Sequence, residues 1–502
     1  MKDLISLIIS MLLGTLTVAA HQTVAPQSCR RGIPRPEQYN VLHRGAPNAQ
    51  PKQAGGSYYH GELHQLTVLV SYNDRSFKDS EAATLAQWNK ILNTRNLTEE
   101  PFSGSVHDYF YDQSYGSFSL TFDLQFVQVS GNAAKYASTE DDDENSQYLL
   151  QDIMQVLAGR DIDWSLYDWN GDGFINQLLI IYAGHSMSDT PGGGDLIWPH
   201  QWWMSDHRKD RQPGVYCNPI PVSYSGKDYM IDCYCAVPEL TNKNDYGSFG
   251  TLCHEFTHCF GFNDLYYGRM SYLGSWDLMD IGNYNGNGFC PVGYSAHERW
   301  IMGWLTPTEL TNDTTVTGMP ALIDVPQAYL IRNDGYPNEY YIVENRQMRG
   351  WDAGIPGNGV IVFHIDFDPQ IWTSIYTFPN TDQSQHYLII PANNNSYTSA
   401  ISNWGYPYEG NNQLTHTSSP AATLWHAGAD GTMLMNKSLT DIAVTDGLAS
   451  FSFSLTKTGI KTPQTDSLQK STILYHLGPI YIIRNAQGKV CKVLAPSPLK
   501  RS

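Results

Sequence analysis

Positive charge is scarce in this sequence of 502 residues, which holds 31 Lys and Arg against 49 Asp and Glu and carries a formal net charge of −18. A chain this acidic repels nucleic acid, so we exclude nucleic acid as a partner. Long apolar runs are scarce as well. Beyond the N-terminal run, no stretch approaches the roughly 20 apolar residues that a membrane span needs. We therefore expect a soluble protein without an integral membrane span.

Cysteine is also rare, with eight residues in the chain. Cys233 and Cys235 stand close together, but no second close pair follows them, which favours structural or free thiols over a metal site there. An even number of cysteines in an exported protein is consistent with disulfides, although the sequence does not determine their connectivity.

The N-terminus has the pattern of a signal peptide. Lys2 precedes the apolar run from Leu4 to Val18, and the small residues up to Ala20 suit cleavage after that position. Residues 1–20 are therefore predicted to be removed on export, so we expect a secreted protein. Residues 21–60 are rich in Pro, Gly, Gln and Arg and are predicted to be an extended lead-in or pro-segment.

Strand-like and helix-like patterns alternate over residues 61–305, which predicts one α/β domain. Beyond it, apolar runs typical of strands recur between turn signals, and helical periodicity is scarce. Residues 306–456 are therefore expected to form a β-rich, sandwich-like domain. Residues 457–502 are predicted to be a linker and a C-terminal tail.

The stretch CHEFTHCFGFNDLY (253–266) holds two histidines four residues apart. Residues i and i+4 lie on one face of a helix, so His254 and His258 can direct their nitrogens at one metal ion. Glu255 stands beside the first histidine, where it can hold the attacking water and act as the general base. A catalytic zinc takes three protein ligands, so a third ligand must come from elsewhere.

Two residues compete for the place of the third ligand. Gly261 can end the helix in a left-handed conformation, after which Asp264 arrives six residues beyond His258. This spacing is the HExxHxxGxx-ligand pattern of the metzincins, with Asp where His is commoner. Glu298 is the alternative, as in thermolysin-like enzymes. Because Gly261 has no purpose in that second layout, the pattern favours Asp264.

Met279, in SWDLMDIG (275–282), stands where metzincins carry a methionine turn beneath the metal. Tyr284 follows it closely and is a candidate donor to the oxyanion, with packing in the loop as the alternative. Cys253 and Cys259 flank the histidines off the ligand face, and we expect them to form disulfides.

A second candidate metal site is DWNGDGFIN (168–176), which follows the first three-quarters of an EF-hand-like loop. Gly173 stands at the sharp turn, but position twelve falls on Leu179, so the usual bidentate glutamate is absent. An Asx-rich turn before a strand is the alternative. The candidate calcium ligands are Asp168, Asn170, Asp172, the carbonyl of Phe174, and Asn176.

These motifs together resemble the immune inhibitor A family of secreted bacterial metallopeptidases. The resemblance is carried by HEFTHCFGFNDLY, SWDLMDIGNYNG, YDWNGDGFINQLLIIYAG, LIWPHQW and ERWIMGW, and it extends over roughly residues 60–455. It implies a zincin-type catalytic domain of metzincin-like α/β fold, followed by a β-rich region. The residues that it assigns are the zinc ligands His254, His258 and Asp264, the base Glu255 and the turn methionine Met279.

One position departs from the family pattern. The family usually has a proline before the ligand aspartate, whereas this chain has Asn263. Asparagine also suits a turn, so the pattern of the site is kept.

The sequence thus predicts a secreted zinc endopeptidase acting on protein or peptide substrates, with Zn²⁺ and Ca²⁺ as expected metals. One alternative is a catalytically inactive zincin-like protein that binds a surface, but an intact Glu255 argues against it. The other is a zinc exopeptidase, for which the sequence shows no arginine clamp. The oligomeric state is not predicted.

Cys29, in SCRRGIPRP (28–36), is a candidate device for latency. The neighbouring Arg30 and Arg31 favour its thiolate, which is a strong zinc ligand and could take the open position of the metal. A disulfide from Cys29 to another cysteine, for example Cys491, or an idle thiol is the alternative.

Overall fold

The computed structural model describes residues 59–137, 145–188, 196–212, 214–243, 245–247, 249–372, 377–396 and 398–455, and three strands between 472 and 494. The predicted signal peptide, the lead-in up to residue 58 and Cys29 lie outside the described residues. The chain divides into two compact units, Met1–Ser454 and Leu455–Ser502.

Helices and strands are interspersed over the first half of the chain, and strands dominate the second half. Among the described residues, the helices are α1 (Glu81–Asn93), α2 (Val106–Gln113), α3 (Ser146–Leu157), α4 (Phe249–His258), α5 (Ala296–Ile301) and α6 (Pro369–Trp372). The strands up to residue 238 are β1 (Gly61–Ser71), β2 (Phe118–Gln128), β3 (Phe174–Ile175), β4 (Leu178–Tyr182), β5 (His200–Trp203), β6 (Ile220–Tyr224), β7 (Lys227–Ile231) and β8 (Cys233–Pro238). The later strands are β9 (Thr308–Glu309), β10 (Thr314–Met319), β11 (Tyr329–Arg332), β12 (Glu339–Arg346), β13 (Gly359–Asp366), β14 (Tyr387–Ile389), β15 (Lys437–Thr445), β16 (Leu448–Leu455), β17 (Thr472–Leu477), β18 (Ile480–Arg484) and β19 (Val490–Leu494).

The main sheet of the α/β part has the order β2-β1-β4-β8-β5. The first four strands are parallel, and β5 runs antiparallel to β8 at the edge. Helices α1, α2 and α4 contribute to the hydrophobic core on one face of this sheet, and α3 contributes to the core on the other. A sheet covered on both faces explains the continuous apolar run in β1, where Val68 and Leu69 face opposite cores.

The β-rich part contains two sheets, with the orders β14-β13-β12-β11-β9 and β10-β16-β15. They share one core, to which Tyr341 and Val343 of β12 contribute. The alternate residues of the same strand, Tyr340 and Ile342, lie in the core that also contains helix α4. The five-stranded sheet is therefore buried on both faces, and one of those faces shares its core with the α/β part.

The remaining strands form small sheets. Strands β3, β7 and β6 make a three-stranded sheet within the first unit. In the unit Leu455–Ser502, strands β17, β18 and β19 form an antiparallel sheet of their own. Among the described residues, no helix has both the length and the apolar character needed to cross a membrane.

Candidate metal centre

Helix α4 places two imidazoles on one face, with the ring centroids of His254 and His258 4.9 Å apart. The Nδ1 atom of His254 lies 2.8 Å from the carbonyl oxygen of Leu278, and Nδ1 of His258 lies 2.8 Å from that of Phe262. A carbonyl only accepts hydrogen bonds, so each Nδ1 carries the proton and each Nε2 is left as the donor atom for a metal.

A carboxylate joins these imidazoles from the loop that follows the helix. Gly261 has a φ of +93°, a conformation that lets the helix end at His258 and the chain reverse. Oδ1 of Asp264 then lies 3.1 Å from Nε2 of His254 and 3.4 Å from Nε2 of His258. Within the part of the chain that the structure describes, these three residues form the one group of His, Cys, Asp or Glu with the spacing of a metal site.

The spacing of these atoms fits zinc. Bonds of about 2.0–2.1 Å in a tetrahedron place neighbouring ligand atoms about 3.3 Å apart. Nε2 of His258 and Oε2 of Glu255 are buried and have no hydrogen-bond partner among the described residues. They lie 4.0 Å apart, too far for a hydrogen bond and suited to an intervening water. Buried nitrogen and oxygen atoms that lack hydrogen-bond partners are what a cation would satisfy.

Burial and charge act against each other in this cluster. Burial raises the pKa of Asp264, but the imidazoles of His258 and His254 outweigh it and hold that pKa well below its usual range. Burial lowers the pKa of His254, but the hydrogen bond that its ring donates to Asp264 and the charge of Glu255 raise that pKa to about 9. In the metal-free chain, His254 therefore carries a second proton, on Nε2, at neutral pH. A metal has to displace that proton.

Glu255 faces a cleft beside the histidines. Burial raises the pKa of its carboxyl, and the nearby His254 and His258 oppose that effect only in part. The backbone of Gln201, on edge strand β5, also lowers the pKa of this carboxyl in part. Tyr284, whose side chain is 36% exposed, lines the same cleft as His254 and Glu255.

The comparison with known families agrees with this geometry. Residues 93–302 match the family model of the immune inhibitor A peptidase M6 catalytic domain. The chain carries a peptidase M6 domain. The resemblance seen in the sequence is thereby confirmed, and the domain is that of a metallopeptidase acting on proteins or peptides. No curated protein matches the chain.

Two other predicted residues, Met279 and Glu298, do not line this cleft. Met279 is buried, and its carbonyl oxygen accepts a hydrogen bond of 2.8 Å from the N–H of Leu265, so it supports the loop that carries Asp264. Glu298, the competing ligand, instead caps α5, where its Oε2 accepts from both the N–H and the hydroxyl of Ser295. The structure thus groups Asp264, and not Glu298, with the histidines.

The prediction of disulfides at Cys253 and Cys259 is wrong, because both are free. Cys253 is packed in the hydrophobic core of the M6 domain. The thiol of Cys259 donates to the side chain of Gln177 and lies 3.6 Å from the sulfur of Cys233, well beyond the roughly 2.05 Å of a disulfide bond. The two cysteines therefore stand beside the histidines as buried packing residues and not as disulfide partners. The cysteines of the M6 domain that the structure describes are all free thiols.

The candidate calcium loop precedes strand β4 and is a turn stabilised by its own side chains. Oδ2 of Asp168 accepts from the N–H of Gly173, and Asn170 donates to Asp172. Asn176 accepts from the N–H of Trp169, and Phe174 begins strand β3. Oδ1 of Asp168 is buried and has no hydrogen-bond partner among the described residues. The calcium site stays a prediction.

Sequence reasoning missed Tyr266, whose ring stacks on His254 with the centroids 6.4 Å apart and which lines the cleft of the M6 domain. An aromatic residue two positions after the candidate ligand Asp264 was the available signal. It also missed Gln201, for which the sequence near the motif holds no signal, because strand β5 is distant along the chain.

Proposed function

We propose that this chain is an exported zinc endopeptidase. The observation that carries the proposal is the convergence of His254, His258 and Asp264. Of these, His254 lines one cleft together with Glu255. When bound, zinc would polarise the scissile carbonyl and lower the pKa of the attacking water. All other parts of the chemistry fall to residues of this chain.

Glu255 is the general base in this proposal. Its Oε2 is directed into the site without a hydrogen-bond partner among the described residues, so it can take a proton from the attacking water. Burial raises the pKa of this carboxyl, which helps it to keep that proton until the leaving amine takes it.

Tyr284 is the proposed donor to the oxyanion. It shares the cleft with Glu255, and its partial exposure leaves the ring accessible to a substrate. A hydroxyl fixed near the reacting carbonyl stabilises the charge that develops on the oxygen.

The position of strand β5 supports internal cleavage. Strand β5 is the last strand in the order of the main sheet as far as the chain is described, and its residue Gln201 is near enough to influence the pKa of Glu255. An extended peptide can pair with such an edge, which does not require a chain terminus. We therefore propose an endopeptidase rather than an exopeptidase.

The deciding experiment is digestion of a denatured protein substrate by the purified chain, with zinc, with a chelator, and with zinc restored. We expect internal cuts that the chelator abolishes and zinc restores. Trimming from one terminus would replace the endopeptidase by an exopeptidase, and the absence of any cleavage in the zinc-loaded protein would favour an inactive binding protein.

Export and calcium binding complete the proposal. The sequence of residues 1–20 supports export, and N-terminal sequencing of the protein from the medium should begin after Ala20 or further along the chain. Lys227 pairs with Oδ2 of Asp168 at 3.4 Å, but the buried Oδ1 has no hydrogen-bond partner among the described residues. That oxygen supports a calcium ion, because a polar atom without a partner is costly to bury. Titration with Ca²⁺ should give saturable binding that Asp168→Asn weakens, and no binding by the parent would leave the Asx turn as the sole role of the loop.

A further inference from the structure

The residues Phe262 to Leu265, here called the ligand loop, are held at several successive points. The carbonyl oxygen of Phe262 accepts from Nδ1 of His258 at 2.8 Å. The carboxylate of Asp264 faces both histidines, and the N–H of Leu265 donates to the carbonyl of Met279 at 2.8 Å. These contacts all come from the α/β part. The side chain of Asn263 and the carbonyl of Leu265 take no part in these contacts and bind other residues.

Asn263 reaches across to the β-rich part of the chain. Its Nδ2 lies 3.3 Å from the carbonyl oxygen of Ile371, 3.4 Å from that of Trp372 and 3.2 Å from that of Thr377. The amide can thus donate to carbonyls that follow strand β13. A proline, which the family pattern would place here, has no side-chain donor.

Asn380 holds the other side of the ligand loop. It is fully buried, and its Nδ2 donates to the carbonyl of Leu265 at 3.1 Å and to that of Tyr387 at 2.9 Å. Its Oδ1 accepts from the N–H groups of His386, at 3.2 Å, and Tyr387, at 3.1 Å. With every polar atom of the amide engaged, the side chain has one well-defined orientation and ties the loop to the start of strand β14.

Two further contacts run along the same pair of segments. The ring of Tyr267 packs edge-on against Phe378, with the centroids 5.4 Å apart. The hydroxyl of Tyr272 donates to Asp382 at 3.1 Å. The attachment between the ligand loop and the β-rich part therefore continues beyond the loop itself.

We propose that Asn263 and Asn380 are positioning residues for Asp264, and that the β-rich part thereby helps to build the metal centre. Asp264 lies between the two anchored positions, so its backbone cannot shift without breaking one of them. Groups that orient a metal ligand commonly change metal affinity by about 10- to 100-fold when they are removed. This inference rests on the proposed zinc site, and it adds which residues orient the proposed ligand Asp264.

The test is the zinc affinity of the full chain, measured by competition with a chromophoric chelator and independent of peptidase activity. Asn263→Ala and Asn380→Ala should each weaken zinc binding about tenfold or more. The visible spectrum of the Co²⁺-loaded variants should also change, because it reports the geometry around the metal.

Asn345→Ala is the matched control. Asn345 is likewise fully buried, and its Nδ2 donates to the carbonyls of Met319, at 2.9 Å, and Gly447, at 2.8 Å, away from the ligand loop. This variant should lower the melting temperature as Asn380→Ala does, yet bind zinc within about twofold of the parent, because the metal ligands keep their supports.

The outcomes separate this inference from the proposed function. A parent chain that binds no zinc would overturn the proposed function itself. A parent that binds zinc, with Asn263→Ala and Asn380→Ala equally tight, would overturn the positioning role, as would an equal loss of affinity in Asn345→Ala. If Asn380→Ala does not fold, the comparison of zinc affinity between Asn263→Ala and the parent decides the question, because Asn263 is only half-buried.

Discussion

Replacing Asp264 or Glu298 by alanine should affect two different properties of the protein. Asp264 faces both histidines, so Asp264→Ala removes one of the three proposed metal ligands. Glu298 caps helix α5, so Glu298→Ala removes a cap and leaves the metal site intact. The pair therefore tests the choice between the two candidate ligands that the sequence leaves open.

The expected magnitudes follow from these contacts. A structural zinc site is worth about 10–16 kcal/mol, so the loss of one ligand should cost roughly 3–4 kcal/mol, or several hundred-fold in zinc affinity. In Glu298→Ala, the N–H and hydroxyl of Ser295 lose their buried acceptor. That loss should lower the free energy of unfolding by about 1–3 kcal/mol and leave the zinc affinity within about twofold.

Chelator competition gives the zinc affinity, and urea unfolding of the metal-free protein gives the stability. Both variants should be measured in both assays, since each serves as the control for the other. Normal zinc affinity in Asp264→Ala, together with lost affinity in Glu298→Ala, would refute the assignment and move the chain to the class with a glutamate ligand.

Further predictions concern the base, the oxyanion donor, a buried histidine and the thiols. Glu255→Gln should keep zinc but lower kcat by about 10²–10⁴-fold, and near-parental activity in zinc-loaded protein would exclude it as the base. Tyr284→Phe should lower kcat by about 10²-fold, whereas an unchanged kcat would leave it a packing role. Burial lowers the pKa of His297 to about 3, so the unfolded chain binds a proton below about pH 6.5 that the folded chain does not. The contribution of His297 to the free energy of unfolding is therefore complete above about pH 6.5 and should fall by about 1.4 kcal/mol per pH unit towards pH 3. In His297→Gln, the free energy of unfolding measured in urea should lack this part of its pH dependence. Alkylation in denaturant without reductant should label Cys253 and Cys259, and mass spectrometry would contradict the free thiols if it found either of them in linked peptides.

Local patterns determined much of the metal centre. The spacing of His254 and His258 predicts their shared face because a helix repeats over short distances. Gly261 predicts the reversal after the helix for an equally local reason, and its φ of +93° agrees. The helix that this spacing implies is α4, which spans Phe249–His258.

Contacts between distant residues were decided only by the tertiary structure. Nothing near Asn380 in the sequence indicates that its amide holds the carbonyl of Leu265, because 115 positions separate the two residues. The same limit applies to Cys259, whose thiol meets Gln177, 82 positions away, and forms no disulfide. Periodicity reports which residues are apolar, but it does not report which partner covers them. Strand β12 contributes alternate residues to two different cores. Only the tertiary structure shows this, because each face of the strand is covered by elements that are distant along the chain.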